Sequence, residues 1–87
     1  MTATDAFLAI ADPNRRYLLE ELRRGEKTVG ELAAGLPVSR PAVSQHLKVL
    51  LDAGLVNARS EGTRRVYAVS AAGFMKLNIW LDQFWGG

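Results

Sequence analysis

The 87-residue chain carries eleven Lys and Arg against nine Asp and Glu, one His and no Cys, and 48% of it is apolar: enough to bury one core over residues 1–87, too little for two. Disulfides, thiolate metal sites and cysteine nucleophiles are excluded together, so neither a metal centre nor another cofactor is expected. No apolar run approaches the roughly 18–20 residues of a bilayer span, and the amino terminus lacks the basic-then-apolar order of a signal peptide, so no membrane partner and a cytoplasmic location are expected.

In chain order, Thr4 to Ala11 places Phe7, Leu8 and Ile10 among alanines as a short helix, interrupted by Asp12-Pro13. That dipeptide is itself a helix start: the carboxylate accepts from free amides, and proline at the first helical position gives up no needed donor. A second helix is predicted from Pro13 to Arg24, with Tyr17, Leu18, Leu19 and Leu22 as its buried stripe and Gly25 closing it in the left-handed conformation. Thr28 with Glu31 three residues on forms a capping box for a short third helix that carries Val29, Leu32, Ala33 and Leu36 and ends by Pro37. Ser39 caps a fourth, in which Pro41 is tolerable in the first turn and Val43, Leu47 and Leu50 recur at helical spacing up to Gly54. The link at Leu36-Pro37-Val38 leaves room only for a tight turn between packed helices. Leu55 to Ser60 and Arg64 to Ser70 then read as a hairpin around Glu61-Gly62-Thr63. From Ala71 a closing helix carries Phe74, Met75, Leu77, Ile79, Trp80, Leu81, Phe84 and Trp85, more apolar side chains than one stripe can bury.

This is a mostly α chain with a small β-hairpin, in the order α-α-α-α-β-β-α of a winged helix-turn-helix domain. Residues 38–67 hold Arg40, Lys48, Arg59, Arg64 and Arg65 against Asp52 and Glu61, an excess that suits a polyanion or is an ordinary solvated face. With Val43, Leu47 and Leu50 turned inward, Arg40, Pro41, Ser44, Gln45 and Lys48 face outward on a helix that a major groove about 12 Å wide admits. Their chemistry fits double-stranded DNA: Arg40 for guanine O6 and N7, Gln45 for adenine N6 and N7, Ser44 for base or phosphate, Pro41 for a thymine methyl. Ser39 at the helix start and Lys48 further along suit phosphates, and Ser39 is a plain N-cap as well.

The runs Ala11-Asp12-Pro13-Asn14-Arg15-Arg16, Thr28-Val29-Gly30-Glu31-Leu32-Ala33 and Val43-Ser44-Gln45-His46-Leu47-Lys48-Val49-Leu50 resemble the ArsR, or arsenical-repressor type, bacterial regulators. Ala53-Gly54-Leu55-Val56 and Glu61-Gly62-Thr63-Arg64 with Tyr67 extend the resemblance over residues 6–70. It implies a two-fold homodimer built from the first and last helices, bound to a palindromic operator as a repressor. It also implies base contacts from Arg40, Pro41, Ser44 and Gln45 and wing contacts from Thr63, Arg64 and Arg65. The metal-binding cysteines and the Asp and His pairs of many relatives are missing here, which implies a branch that does not sense metal. Nothing in the sequence identifies a small-molecule effector.

His46 reads either as a side chain packed beside the leucines or as a phosphate or base contact. Ser44 and His46 point about 200° apart on a helix and cannot form a nucleophile and base pair, and no other pair indicates an enzyme. For the closing helix a dimer seam of Phe7, Leu8, Leu77, Trp80, Leu81, Phe84 and Trp85 competes with an apolar ligand pocket and with a longer helix cut short. The alternative to DNA is a winged-helix module that binds protein or RNA, disfavoured by the polar outer face of the fourth helix.

Overall fold

A computed structural model describes residues 3–85. The order is α1 (Ala3–Ala9), α2 (Pro13–Leu22), β1 (Lys27–Thr28), α3 (Val29–Ala33), α4 (Arg40–Asp52), β2 (Val56–Glu61), β3 (Arg64–Val69) and α5 (Ala71–Asp82). The five helices and the hairpin stand where the sequence predicts them, with most ends moved by one or two residues; α3 and α5 stop three residues early, leaving Leu36, Phe84 and Trp85 beyond their helices. The unforeseen element is β1, which joins the hairpin as the third strand of an antiparallel sheet in the order β1-β3-β2. Two residues carry no periodicity to detect, and Thr28 is legible only in its other role. Its backbone pairs with Val66 while its side chain and that of Glu31 close the capping box of α3.

Local chemistry explains the helix starts. Asp12 accepts from the amides of Asn14 at 2.7 Å and Arg15 at 3.2 Å, and Ser39 accepts from Ala42 at 3.2 Å, each satisfying a donor that the first turn leaves free. The end of α2 departs from expectation: the helix stops at Leu22 with Arg23 as its cap. Gly25 lies beyond, at φ 149° rather than in the left-handed helical well, a conformation still reserved for glycine.

The core joins Leu18, Leu19 and Leu22 of α2, Leu32 of α3, Val43, Leu47 and Leu50 of α4, and Leu55, Val56 and Tyr67 of the hairpin. The three α4 side chains have no accessible surface at all. Leu77 corrects the expected dimer seam, because it is buried in this same core with 5% of its surface exposed. The apolar excess of α5 does not reveal which side chains face inward; the junction with the hairpin decides it. Ser70 donates its amide to the carbonyl of Leu55 at 2.9 Å, caps α5 through Gly73 and so lays the helix across the start of β2. The contact is close: a Cβ on Gly73 would meet the carbonyl oxygen of Gly54 and lie 2.8 Å from its carbon.

Because that obstacle is backbone, Gly73→Ala is expected to force the α5 junction apart and to cost about 1–3 kcal/mol, as overpacking does. Urea denaturation should show a lower midpoint at unchanged slope. An unaltered midpoint would mean that the junction is loose.

Candidate nucleic-acid interface

The outward face of α4 is the expected one. Ser39, Arg40, Pro41, Ser44, Gln45 and Lys48 are all exposed, on a 13-residue helix of about 20 Å at 1.5 Å per residue. Pro41, Ser44, Gln45 and Lys48 lie roughly opposite the Val43–Leu47–Leu50 line, whereas Arg40 sits on the flank nearer α3. There its guanidinium lies over Gly30, where a Cβ would be 3.5–3.6 Å from it. The bare backbone of Gly30 thus makes the bed for the Arg40 side chain.

Arg40 and Ser44 line a cleft of about 300 Å³ together with Thr28, Val29 and the wing residues Thr63, Arg64 and Arg65. Residues far apart in sequence meet here because β1 and the start of α3 stand between α4 and the hairpin. Thr28 and Val29 were not among the expected site residues; their place follows from β1, which the sequence conceals. At the wing tip Gly62 takes φ 63° as the first central residue of a two-residue turn, the arrangement in which glycine is preferred.

Charge in this region is more selective than composition indicates. Arg59 holds Glu26 through Nη1 at 2.5 Å and Nη2 at 2.7 Å, and Nη2 also reaches Glu61 at 2.7 Å. The bonded guanidinium keeps the Glu26 carboxyl below the usual glutamate range. Lys48 pairs with Asp52 one turn on at 3.1 Å, and Arg64 stands 3.4 Å from Glu61. Among the described residues, no carboxylate pairs with Arg40 or Arg65; Arg65 lies 5.7 Å over the ring of Tyr67, within cation–π range.

His46 is not on the outer face, which favours the packed reading of this side chain over a phosphate or base contact. It is half-buried, about 60° around the helix from Val43 on the flank away from Arg40. Its Nδ1 is 3.4 Å from Arg15 Nη1. Arg15 in turn donates through Nε to the carbonyl of Ala9 at 2.6 Å and through Nη2 to that of Leu8 at 3.2 Å, tying the end of α1 to the inner flank of α4. Partial desolvation raises the nearby Asp12 carboxyl, but the amides of Arg15 and Asn14 and the charges of His46 and Arg15 outweigh it, leaving the pKa below the ordinary aspartate value.

α1, α5 and the turn that follows α5 leave Leu8, Met75, Ile79, Trp80, Phe84 and Trp85 exposed. Phe7, half-buried, meets the Trp80 ring edge-on at 5.0 Å, and Trp80 meets Phe84 at 4.7 Å. Leu81 is half-buried. Of the residues expected at a seam, Leu77 is not part of this exposed apolar group, whereas Met75 and Ile79, not expected there, are. Among the described residues, no helix is long and apolar enough to cross a membrane, and no three His, Asp or Glu side chains gather as metal ligands.

Residues 12–58 match the sequence profile of the bacterial regulatory proteins of the arsR family. The chain is 56% identical over 80 residues to the HTH-type transcriptional regulator Rv2034 of Mycobacterium tuberculosis, a match that spans 92% of this chain and 75% of that one. It is 30% identical over 80 residues to the transcriptional repressor SdpR of Bacillus subtilis, over 92% of this chain and 89% of the other. The crystal structure of a possible transcriptional regulator for arsenical resistance superposes with a TM-score of 0.86 at 46% identity, covering 93% of this chain and 84% of that one.

Proposed function

The chain belongs to the arsR family of bacterial regulatory proteins and is a DNA-binding transcriptional regulator; from that premise we propose that it represses as a cytoplasmic two-fold homodimer on a palindromic operator, without sensing metal and without enzymatic activity. The observation that carries this reading is the exposed array of Pro41, Ser44 and Gln45 beside a cleft where Arg40, Arg64 and Arg65 converge. The array supplies groups for base edges, the cleft supplies positive charge for the backbone, and the two are adjacent as a groove and its phosphates are.

The roles divide accordingly. Gln45 pairs with adenine, Ser44 serves an adjacent base or phosphate, and Pro41 meets a thymine methyl. Ser39 and the amides at the start of α4 approach one phosphate, and Lys48, on releasing Asp52, another. The sequence alone makes Arg40 a reader of guanine; its place in the cleft beside the wing supports a phosphate role instead. Thr63, Arg64 and Arg65 follow the backbone beyond the α4 contact.

The homodimer reading rests on Phe7 and Leu8 of α1, Met75, Ile79, Trp80 and Leu81 of α5, and Phe84 and Trp85 just beyond it. Large apolar side chains this closely grouped are what a subunit seam requires, and a two-fold axis through them pairs one α4 with another. The lack of cysteine in the 87 residues, with Asp82 the sole acid after Glu61, supports a regulator without metal ligands.

Binding isotherms on operator and random duplex test the division of labour. Gln45→Ala is expected to lose about 1–3 kcal/mol on the operator alone, while Arg40→Ala weakens both duplexes alike and flattens the salt dependence. Equal losses on both duplexes for Gln45→Ala would overturn base reading by α4. For the seam, Ile79→Glu is expected to sediment as a folded monomer, since 64% of this side chain is exposed in the protomer; a dimeric mass would place the interface elsewhere.

A further inference from the structure

The wing carries a charge cluster that neither the composition nor the fold requires. Arg59 and Glu61, two apart on β2, share one face of the strand, and Glu61 stands directly opposite Arg64 in the hairpin register. One Glu61 oxygen accepts from Arg59 at 2.7 Å and the other from Arg64 at 3.4 Å. Arg59 also extends past β3 to Glu26 beside β1, over Val66, which lies opposite it in the register and is buried. Two guanidinium groups and two carboxylates thus cancel where the sequence counts basic side chains. Arg64 meets a phosphate either by leaving Glu61 or with the N–H groups that Glu61 does not hold, and in both cases the carboxylate travels to the DNA backbone with the wing that bears it.

Glu61 is not needed to build the hairpin. Gly62 sets the turn, and the Arg59–Glu26 pair ties the base of the wing to the rest of the sheet. An ion pair as exposed as Glu61–Arg64 contributes little to folding. Its effect falls on association with a polyanion, where every charge added or removed alters the counterions released.

We propose that Glu61 is a built-in counter-charge that restrains the grip of the wing on the DNA backbone, holding Arg64 in the free protein and opposing phosphate in the complex. This rests on the reading of the wing as a DNA contact. It makes Glu61 a residue that sets affinity for DNA of any sequence, separate from the α4 side chains that choose among sequences.

The test is a salt titration of binding to operator and random duplexes by the wild type, Glu61→Gln, Arg64→Gln and the double variant. Glutamine keeps an oxygen for Arg59 while removing the charge. Glu61→Gln is expected to tighten binding to both duplexes roughly three- to tenfold near 0.1 M salt and to steepen the plot of log K against log salt by about one. The thermal midpoint should be unchanged, and the double variant should lose most of the gain. Unchanged or weaker binding by Glu61→Gln would overturn the proposal. If Arg64→Gln then still flattens the salt dependence, the wing contact stands and only the role of Glu61 falls. If Arg64→Gln leaves the slope untouched as well, the reading of the wing as a DNA contact falls with it.

Discussion

The inward commitment of Val43, Leu47 and Leu50 governs the rest of the molecule. All three are wholly removed from solvent, and fully burying side chains of this size stabilises by roughly 1.5–3 kcal/mol each. Rotating α4 about its axis would expose the line and drive Ser44 and Gln45 into a core that has no partners for them. The rotational setting of the helix is therefore held by packing, and the polar face is displayed as a consequence. Leu32 of α3 and Leu55 and Val56 at the start of the wing pack on the same cluster, so α3, α4 and the hairpin share one foundation.

Electrostatics refines that arrangement instead of creating it. An even count of basic residues over positions 38–67 treats Arg40, Lys48, Arg59, Arg64 and Arg65 alike. In three dimensions Arg59 is spent on Glu26 and Glu61, Lys48 and Arg64 have exposed carboxylate partners, and Arg40 and Arg65 flank the cleft. Exposed pairs exchange readily for a phosphate, so the region has both strongly held and loosely held cations.

Much of the fold is written in short-range signals. Asp12-Pro13, the Thr28/Glu31 capping box, Ser39 and the Val43–Leu47–Leu50 spacing each act within one turn of a helix, and each is found in the structure as read. What escaped depends on contacts distant in sequence. The two residues of β1 become a strand only because β3 lies beside them, and Thr28 and Val29 join the site through that pairing. Leu77 was misplaced for the same reason: a helical wheel gives an angle, but the Gly54–Gly73 crossing determines which angle is inside, and Arg15 on α2 decides between the two readings of His46. Arg40 was read correctly as an exposed residue of α4, yet its lie across Gly30 could not be seen without α3 in place.

The apolar side of α1 and α5 and the polar side of α4 are linked through the Arg15 side chain, which bonds the Leu8 and Ala9 carbonyls and touches His46. The proposed seam between two copies and the proposed surface for DNA are thus joined through one side chain. The most direct examination of the central claim is dimethyl sulfate footprinting of a selected operator, because the reagent marks guanine N7 in the major groove and adenine N3 in the minor groove. Gln45 reads adenine, but a helix seated in the major groove also covers the N7 of guanines beneath it, which predicts two symmetry-related clusters of protected guanines on one face of the duplex. Protection confined to adenines, or none at all, would contradict it.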